Sequence, residues 1–195
     1  MTDKEVLAKA RTYALSLIDQ VDHYPYHNVG HTLDVYARTA YLADMEGVSP
    51  EEKTDLLIAA IFHDTGFSSV YPQNEAVGAD IAEKFLRGIG HPEERITRVR
   101  RIILATIVFS RPSDLLERII QDADLDNLGR EDCFMNMERV GLELLTVSGT
   151  VFDREKWLSF SELLLTQYAY HTETAKKERE DRRQKNLESF RMRYR

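Results

Sequence analysis

Apolar residues recur three and four positions apart along most of this chain, the spacing that gathers them on one face of an α-helix. Over residues 3–21 they are Val6, Ala10, Tyr13, Ala14, Leu17 and Ile18. Polar punctuation sets the helix ends. Asn28 is a good N-cap for a second helix running to about Met45, with Gly47 ending it. Ser49-Pro50-Glu51-Glu52 joins an N-cap, a first-position proline and a capping-box glutamate. The helix it opens carries Leu56, Leu57, Ile58, Ala60 and Ile61 into His63-Asp64 and is predicted to stop at Gly66. Asn74 is predicted to cap a fourth helix ending near Gly88, and Pro92-Glu93-Glu94 to open a fifth reaching about Val108. Pro112-Ser113-Asp114 opens a sixth, ending around Asp122-Ala123-Asp124, and further helices are predicted over about 130–147, 153–169 and 172–193. No segment alternates as a strand between hairpin turns. With no repeat, linker or low-complexity stretch, the pattern predicts one all-α domain.

At 195 residues the chain is long enough to bury a substantial core. A single cysteine, Cys133, excludes an intramolecular disulfide and a thiolate zinc site, and fits a reducing cytoplasm. No apolar run approaches the roughly 20 residues of a membrane span. The acid-bearing, amphipathic start MTDKEVLAKARTYAL lacks the apolar stretch of a secretory signal. A net charge of −7 argues against a nucleic-acid-binding module. That charge is uneven, because residues 176–195 carry nine Lys or Arg against four Asp or Glu. Such a run reads first as a solvated helix face, and alternatively as a surface that turns back towards a phosphate-bearing substrate.

The chemistry gathers in the order H…HD…D. His31 and His63 offer imidazole nitrogens, and Asp64 and Asp124 offer hard oxygens. That mixture suits manganese, iron, zinc or magnesium better than copper or an iron–sulfur cluster. A metal so held lowers the pKa of water and orients a phosphate, which points to phosphoester hydrolysis. His27 stands four residues before His31, a spacing that would share one helical face, although His27 lies right at the predicted helix start. Asp34 and Arg38 continue that face, either as an exposed pair or with Asp34 orienting an imidazole from behind. In Asp122-Ala123-Asp124-Leu125-Asp126-Asn127 the alternating acids lack the glycine and distal glutamate of a calcium loop. Because Ala123 continues the core face of the sixth helix, Asp124 is expected to supply the distal carboxylate, Asp122 to face solvent, and Asp126 with Asn127 to cap the next element. Arginines near the site, Arg38, Arg111 or Arg130, are candidates to bind phosphate.

These residues resemble the HD superfamily of metal-dependent phosphohydrolases over about residues 20–130. Pro25-Tyr26-His27-Asn28-Val29-Gly30-His31-Thr32-Leu33-Asp34-Val35 is similar to the PYHNxxHAxDV segment of class I cyclic nucleotide phosphodiesterases, and Ala123-Asp124-Leu125-Asp126-Asn127 to their ADLSN segment. The resemblance implies a single-domain helical HD bundle over residues 1–195, with C-terminal helices from about 130. It implies His31, His63, Asp64 and Asp124 as ligands of a divalent metal ion. It also implies His27 as the acid that protonates the leaving alkoxide, while Asp64 or Asp124 is the candidate to take the proton of the attacking water. The whole chain also looks like small bacterial proteins known only as predicted HD-superfamily hydrolases, whose late helical segment resembles Tyr170-His171-Thr172-Glu173-Thr174-Ala175-Lys176-Lys177.

There are departures. Phosphodiesterases continue HDxxHPG, whereas this chain reads His63-Asp64-Thr65-Gly66-Phe67. Where many bacterial members place His-Glu before a helix, it has Asn74-Glu75. One metal site is therefore the expectation. The reading that results is a hydrolase of a nucleotide-like or other small phosphoester. The competing readings are a metal-bearing regulatory or ligand-binding module without turnover, and an HD-fold di-iron oxygenase, for which the extra histidines are not evident.

Overall fold

The computed structural model describes residues 1–147 and 152–194. Among them the helices are α1 (Asp3–Ile18), α2 (Val29–Met45), α3 (Pro50–Phe62), α4 (Asn74–Gly88), α5 (Glu93–Leu104), α6 (Leu115–Asp124), α7 (Cys133–Thr146), α8 (Arg154–Gln167) and α9 (Glu173–Tyr194), and no strand is present. Single 3-10 turns at Asp19–Val21, Thr65–Ser68 and Asp126–Gly129 complete the ordered backbone. The fold is all-α, as the periodicity predicts. No described helix is long and apolar enough to cross a membrane.

The helix starts follow their capping chemistry. Thr2 and Glu5 form a capping box at α1, and Ser49 caps α3 with Pro50 in its first turn. Asn28 caps α2 by accepting from the backbone N–H groups of Gly30 and His31. The α3 helix is the axis of the bundle. Every residue from Asp55 to Phe62 is buried, because α1, α2 and α5 pack around it. The acid among them, Asp55, accepts from Arg95 and Arg98 of α5, and Arg95 also reaches Asp3 of α1. An ionic tie thus runs across three helices.

Four local expectations are corrected. The α3 helix ends at Phe62, before His63, and the chain turns through the 3-10 segment at Thr65–Ser68 instead of continuing to Gly66. Asn74 does not cap α4; Gln73 holds that place with a left-handed φ of 61° and Asn74 is the first helical residue. The cause lies at Gly66, where a Cβ would land on the Asn74 carbonyl, so the start of α4 is pressed down onto the turn. The α5 helix ends at Leu104, well short of Val108. The carbonyl of Ala105 accepts from the Ser110 hydroxyl (2.8 Å) and the Gln121 amide (2.7 Å), and Phe109 takes a left-handed φ of 65°. Side chains thereby replace the next helical bonds.

The fourth correction concerns α6. Asp122 does not face solvent: its side chain is fully buried and saturated with hydrogen bonds. It accepts from the Tyr168 hydroxyl (2.8 Å), the His171 backbone N–H (2.9 Å), and the Thr172 backbone N–H and hydroxyl (both 2.7 Å). Asp126 is likewise buried and accepts from Arg179 at 2.8 Å. These two carboxylates bind the C-terminal helices to the core. Asp122→Ala should therefore lower unfolding free energy by about 2–5 kcal/mol, since it strands two buried N–H groups and two hydroxyls. Urea denaturation checks this, and a loss below about 1 kcal/mol would contradict the tethering role.

Candidate metal centre and cavity

Three helix ends meet at one point. The first turn of α2 contributes His31, the residues just past α3 contribute His63 and Asp64, and the last residue of α6 is Asp124. His31 Nε2 lies 3.4 Å from His63 Nε2, 3.4 Å from Asp64 Oδ2 and 3.3 Å from Asp124 Oδ1. His63 Nε2 lies 3.1 Å from Asp64 Oδ2 and 3.5 Å from Asp124 Oδ1. Donors about 2.1 Å from a common ion stand about 3.0 Å apart when adjacent in an octahedron and about 3.4 Å apart in a tetrahedron. The His31, His63 and Asp124 donors therefore fit one divalent cation, and Asp64 stands beside both imidazoles at the edge of that group.

The surroundings of each donor fit as well. His63 Nδ1 lies 2.8 Å from the Ala60 carbonyl, which can only accept, so in the neutral ring Nδ1 carries the proton and the Nε2 lone pair faces the cluster. Asp64 Oδ2 is buried with no hydrogen-bond partner, and a buried carboxylate oxygen is costly to leave so. Burial alone would lower the proton affinity of His63, but Asp64 and Asp124 outweigh it and raise it well above the ordinary histidine value. For Asp124, burial acts upward, and the hydrogen bonds from His31 and His63 more than reverse it, holding the carboxyl below the usual range. The field that favours a proton on His63 equally favours a cation.

His27 does not share a helical face with His31, because it precedes the Asn28 cap. The turn nevertheless sets the two rings perpendicular, with centroids 5.6 Å apart. His27 stacks on Phe67 at 4.4 Å, and its Nδ1 lies 2.5 Å from Glu143 Oε1. Glu143 is fully buried and also accepts from the backbone N–H groups of Tyr26 (2.8 Å) and His27 (2.9 Å) and from the Tyr71 hydroxyl (2.9 Å). Burial pulls the His27 imidazole towards neutrality, and the Glu143 hydrogen bond together with the charges of Asp64, Glu143 and Asp124 overrides it, so its pKa is raised. Glu143 is lowered: burial acts upward, and the bond and charge of His27 with the backbone N–H groups of Tyr26 and His27 together outweigh it. The sequence reading missed Glu143. The available signal was an acid on the buried stripe of α7, three and seven residues beyond Val140 and Asn136.

Two of the three candidate arginines, Arg38 and Arg130, approach one carboxylate, Asp126, at 2.7 Å and 4.0 Å. Arg38 is held 2.7 Å from Asp126 and 2.7 Å from Glu178, over the Tyr41 ring. Arg130 is paired with Asp34 and Asp132, so Asp34 serves neither Arg38 nor an imidazole. Both guanidinium charges are already met by carboxylates. Arg111 is exposed and borders a cavity that reaches Asp124. The remaining histidines lie away from the cluster: His91 beside Asp55, His171 beside Asp122, and His23 against Tyr24. Another cavity, of about 470 Å³, opens beside the donors and is bordered by His27, Asp64 and Asp124 at one end.

The HD domain family model matches residues 28–128, a span that contains all four converging donors. Among solved structures, that of the Lin1889 protein from Listeria innocua is similar with a TM-score of 0.65 at 21% identity, covering 98% of this chain and 96% of that one. At that identity the likeness speaks for the fold alone. No curated protein matches the chain.

Metal analysis of purified variants tests the cluster. His63→Ala, Asp64→Ala and Asp124→Asn should each lose bound divalent metal while keeping helical circular dichroism. Asp122→Asn and Asp126→Asn, measured below their melting temperatures, should retain it. Full occupancy in the first group, or loss confined to the second, would overturn the assignment of donors.

Proposed function

Because the chain belongs to the HD-domain family, we propose that it is a metal-dependent phosphohydrolase that cleaves a small phosphoester, nucleotide-like or otherwise, with water. The observation that carries this reading is the His27–Glu143 pair, set at the same cavity end as Asp64 and Asp124. An acid held ready beside a cation-binding cluster is what departure of an alkoxide requires. The two imidazoles and two carboxylates suit manganese, iron, zinc or magnesium.

A divalent cation held by His31, His63, Asp64 and Asp124 supplies positive charge beside the phosphoryl oxygens and acidifies water. The rest falls to the chain's own groups. The water oxygen bonds to phosphorus as the phosphorus–alcohol bond breaks. Asp64, whose Oδ2 has no hydrogen-bond partner, accepts the water's proton. His27 has Nδ1 committed to Glu143, so Nε2 is the nitrogen that gives its proton to the leaving oxygen. Phe67 fixes the plane of that ring, and Tyr71 helps hold Glu143 ionised. Glu143 is thus a positioning residue that keeps His27 protonated. Arg111, exposed beside Asp124's second cavity, is the one of the three arginines that we assign to phosphate contact.

A screen of phosphoesters with manganese, magnesium, zinc, cobalt and nickel should reveal turnover abolished by chelator and by Asp64→Ala. Absence of turnover on every ester with each metal would favour the ligand-binding module. Two iron ions with oxygen consumption would favour the oxygenase.

His27→Ala should keep its metal yet lose about 10²–10⁴-fold in kcat on an alkyl phosphoester. A nitrophenyl ester is the wrong substrate, since its leaving group hardly needs a proton. Glu143→Gln removes the main cause of the raised His27 pKa, so the acid form should vanish at lower pH. The basic limb of the pH–rate profile should then move down. An unmoved limb would remove His27 from the acid role.

A further inference from the structure

The cavity bordered by His27, Asp64 and Asp124 differs in character from the cluster at its end. Phe67, Val108, Leu128, Met137, Trp157 and Leu164 form its walls, and its rim carries the exposed side chains of Val108 and Phe160. Its described lining includes the acids Asp64, Glu75 and Asp124 and no lysine or arginine. An anion beyond the one phosphoryl group would find no cation there and would meet carboxylates instead. The polar groups in the walls are mostly satisfied within the protein. Ser161 donates to the Trp157 carbonyl, Thr106 to the Ile103 carbonyl, and Tyr71 to Glu143. The exceptions include the amide oxygens of Asn127 and Asn74, both without a hydrogen-bond partner, with Asn74 only 7% exposed, and the side chains of Gln73 and Glu75 also line the cavity. At about 470 Å³ the cavity is large enough for a ligand of many more atoms than a phosphate.

We infer that the site selects monophosphate esters of bulky, uncharged, mainly apolar alcohols. The apolar part would lie against Trp157 and Phe67, with at most a donor or two reaching Asn74 and Asn127. A nucleoside's ring nitrogens and ribose hydroxyls outnumber the polar side chains of this mainly apolar lining, which disfavours it. A polyphosphate would bring charge to an acidic wall. The inference rests on the hydrolase reading and narrows it to a substrate class.

Trp157 is the only tryptophan of the chain and lines the cavity, so its emission reports occupancy without turnover. It also borders a smaller groove, whereas half-buried Val140 borders the cavity and not that groove. The metal-loaded full chain would be titrated with 2-phenylethylphosphonate, which cannot be cleaved, and with ethylphosphonate. The aryl probe should change Trp157 emission saturably at concentrations where ethylphosphonate has no effect, and Val140→Arg, with its fold verified by circular dichroism, should abolish the response. In parallel, kcat/KM for 2-phenylethyl phosphate should exceed that for ethyl phosphate and for adenosine 5′-monophosphate by at least about tenfold. Turnover without that preference, or with the nucleotide preferred, overturns the inference and leaves the hydrolase reading standing. A saturable, Val140-dependent emission change without turnover of any ester supports the cavity's ligand class and removes the hydrolase reading. No emission change together with no preference overturns the inference.

Discussion

Asp64 and Asp124 bring two negative charges against the same pair of imidazole nitrogens in a place almost closed to water. Each carboxylate lies within 3.5 Å of both imidazole nitrogens, so two negative charges there call for a positive counterpart. Much of the architecture serves that meeting. The apolar α3 helix, enclosed on all sides, delivers His63 and Asp64 to a fixed point, and the Asn28 cap does the same for His31 at the start of α2. Gly66 allows α4 to press on the turn directly behind them. The histidines answer part of that negative charge, and a cation would answer the rest.

Glu143 solves a related problem one ring further out. A fully buried carboxylate has to be matched by donors, and it has four: two backbone N–H groups, a phenol and an imidazole. Because the two backbone donors belong to Tyr26 and His27, the same group that charges the imidazole also fixes the turn carrying it. Position and protonation of His27 are therefore set by one side chain, and a change in either alters the other.

The helices were legible because apolar spacing and caps are local properties. The ends that went astray did so through remote contacts: α5 stops at Leu104 because Gln121, 16 residues on, takes the Ala105 carbonyl. The site divides in the same way. The order H…HD…D marks the four donors that the fold brings together, since each sits in a recognisable local run. Glu143 was hidden because its partner His27 is 116 residues away and its helix reads as ordinary amphipathic sequence. Asp122 and Asp126 were misjudged for the same reason, as nothing near them in sequence announces Tyr168, Thr172 or Arg179. Arg38 and Arg130 illustrate the converse. A guanidinium shaped to grip phosphate grips carboxylate equally well, and here carboxylates reached them first.

The tethering of α6 bears on how the protein comes into being. The partners of Asp122 lie 46 to 50 residues further along the chain, and Arg179 lies 53 residues beyond Asp126. On the ribosome, every donor of the metal cluster has been synthesised well before the groups that fix α6 in place. An emerging chain that stopped short of Tyr168 would carry the full H…HD…D set, with Asp122 facing the core and nothing to receive it. Residues 28–128 thus contain the candidate donors but not the groups that receive Asp122 and Asp126.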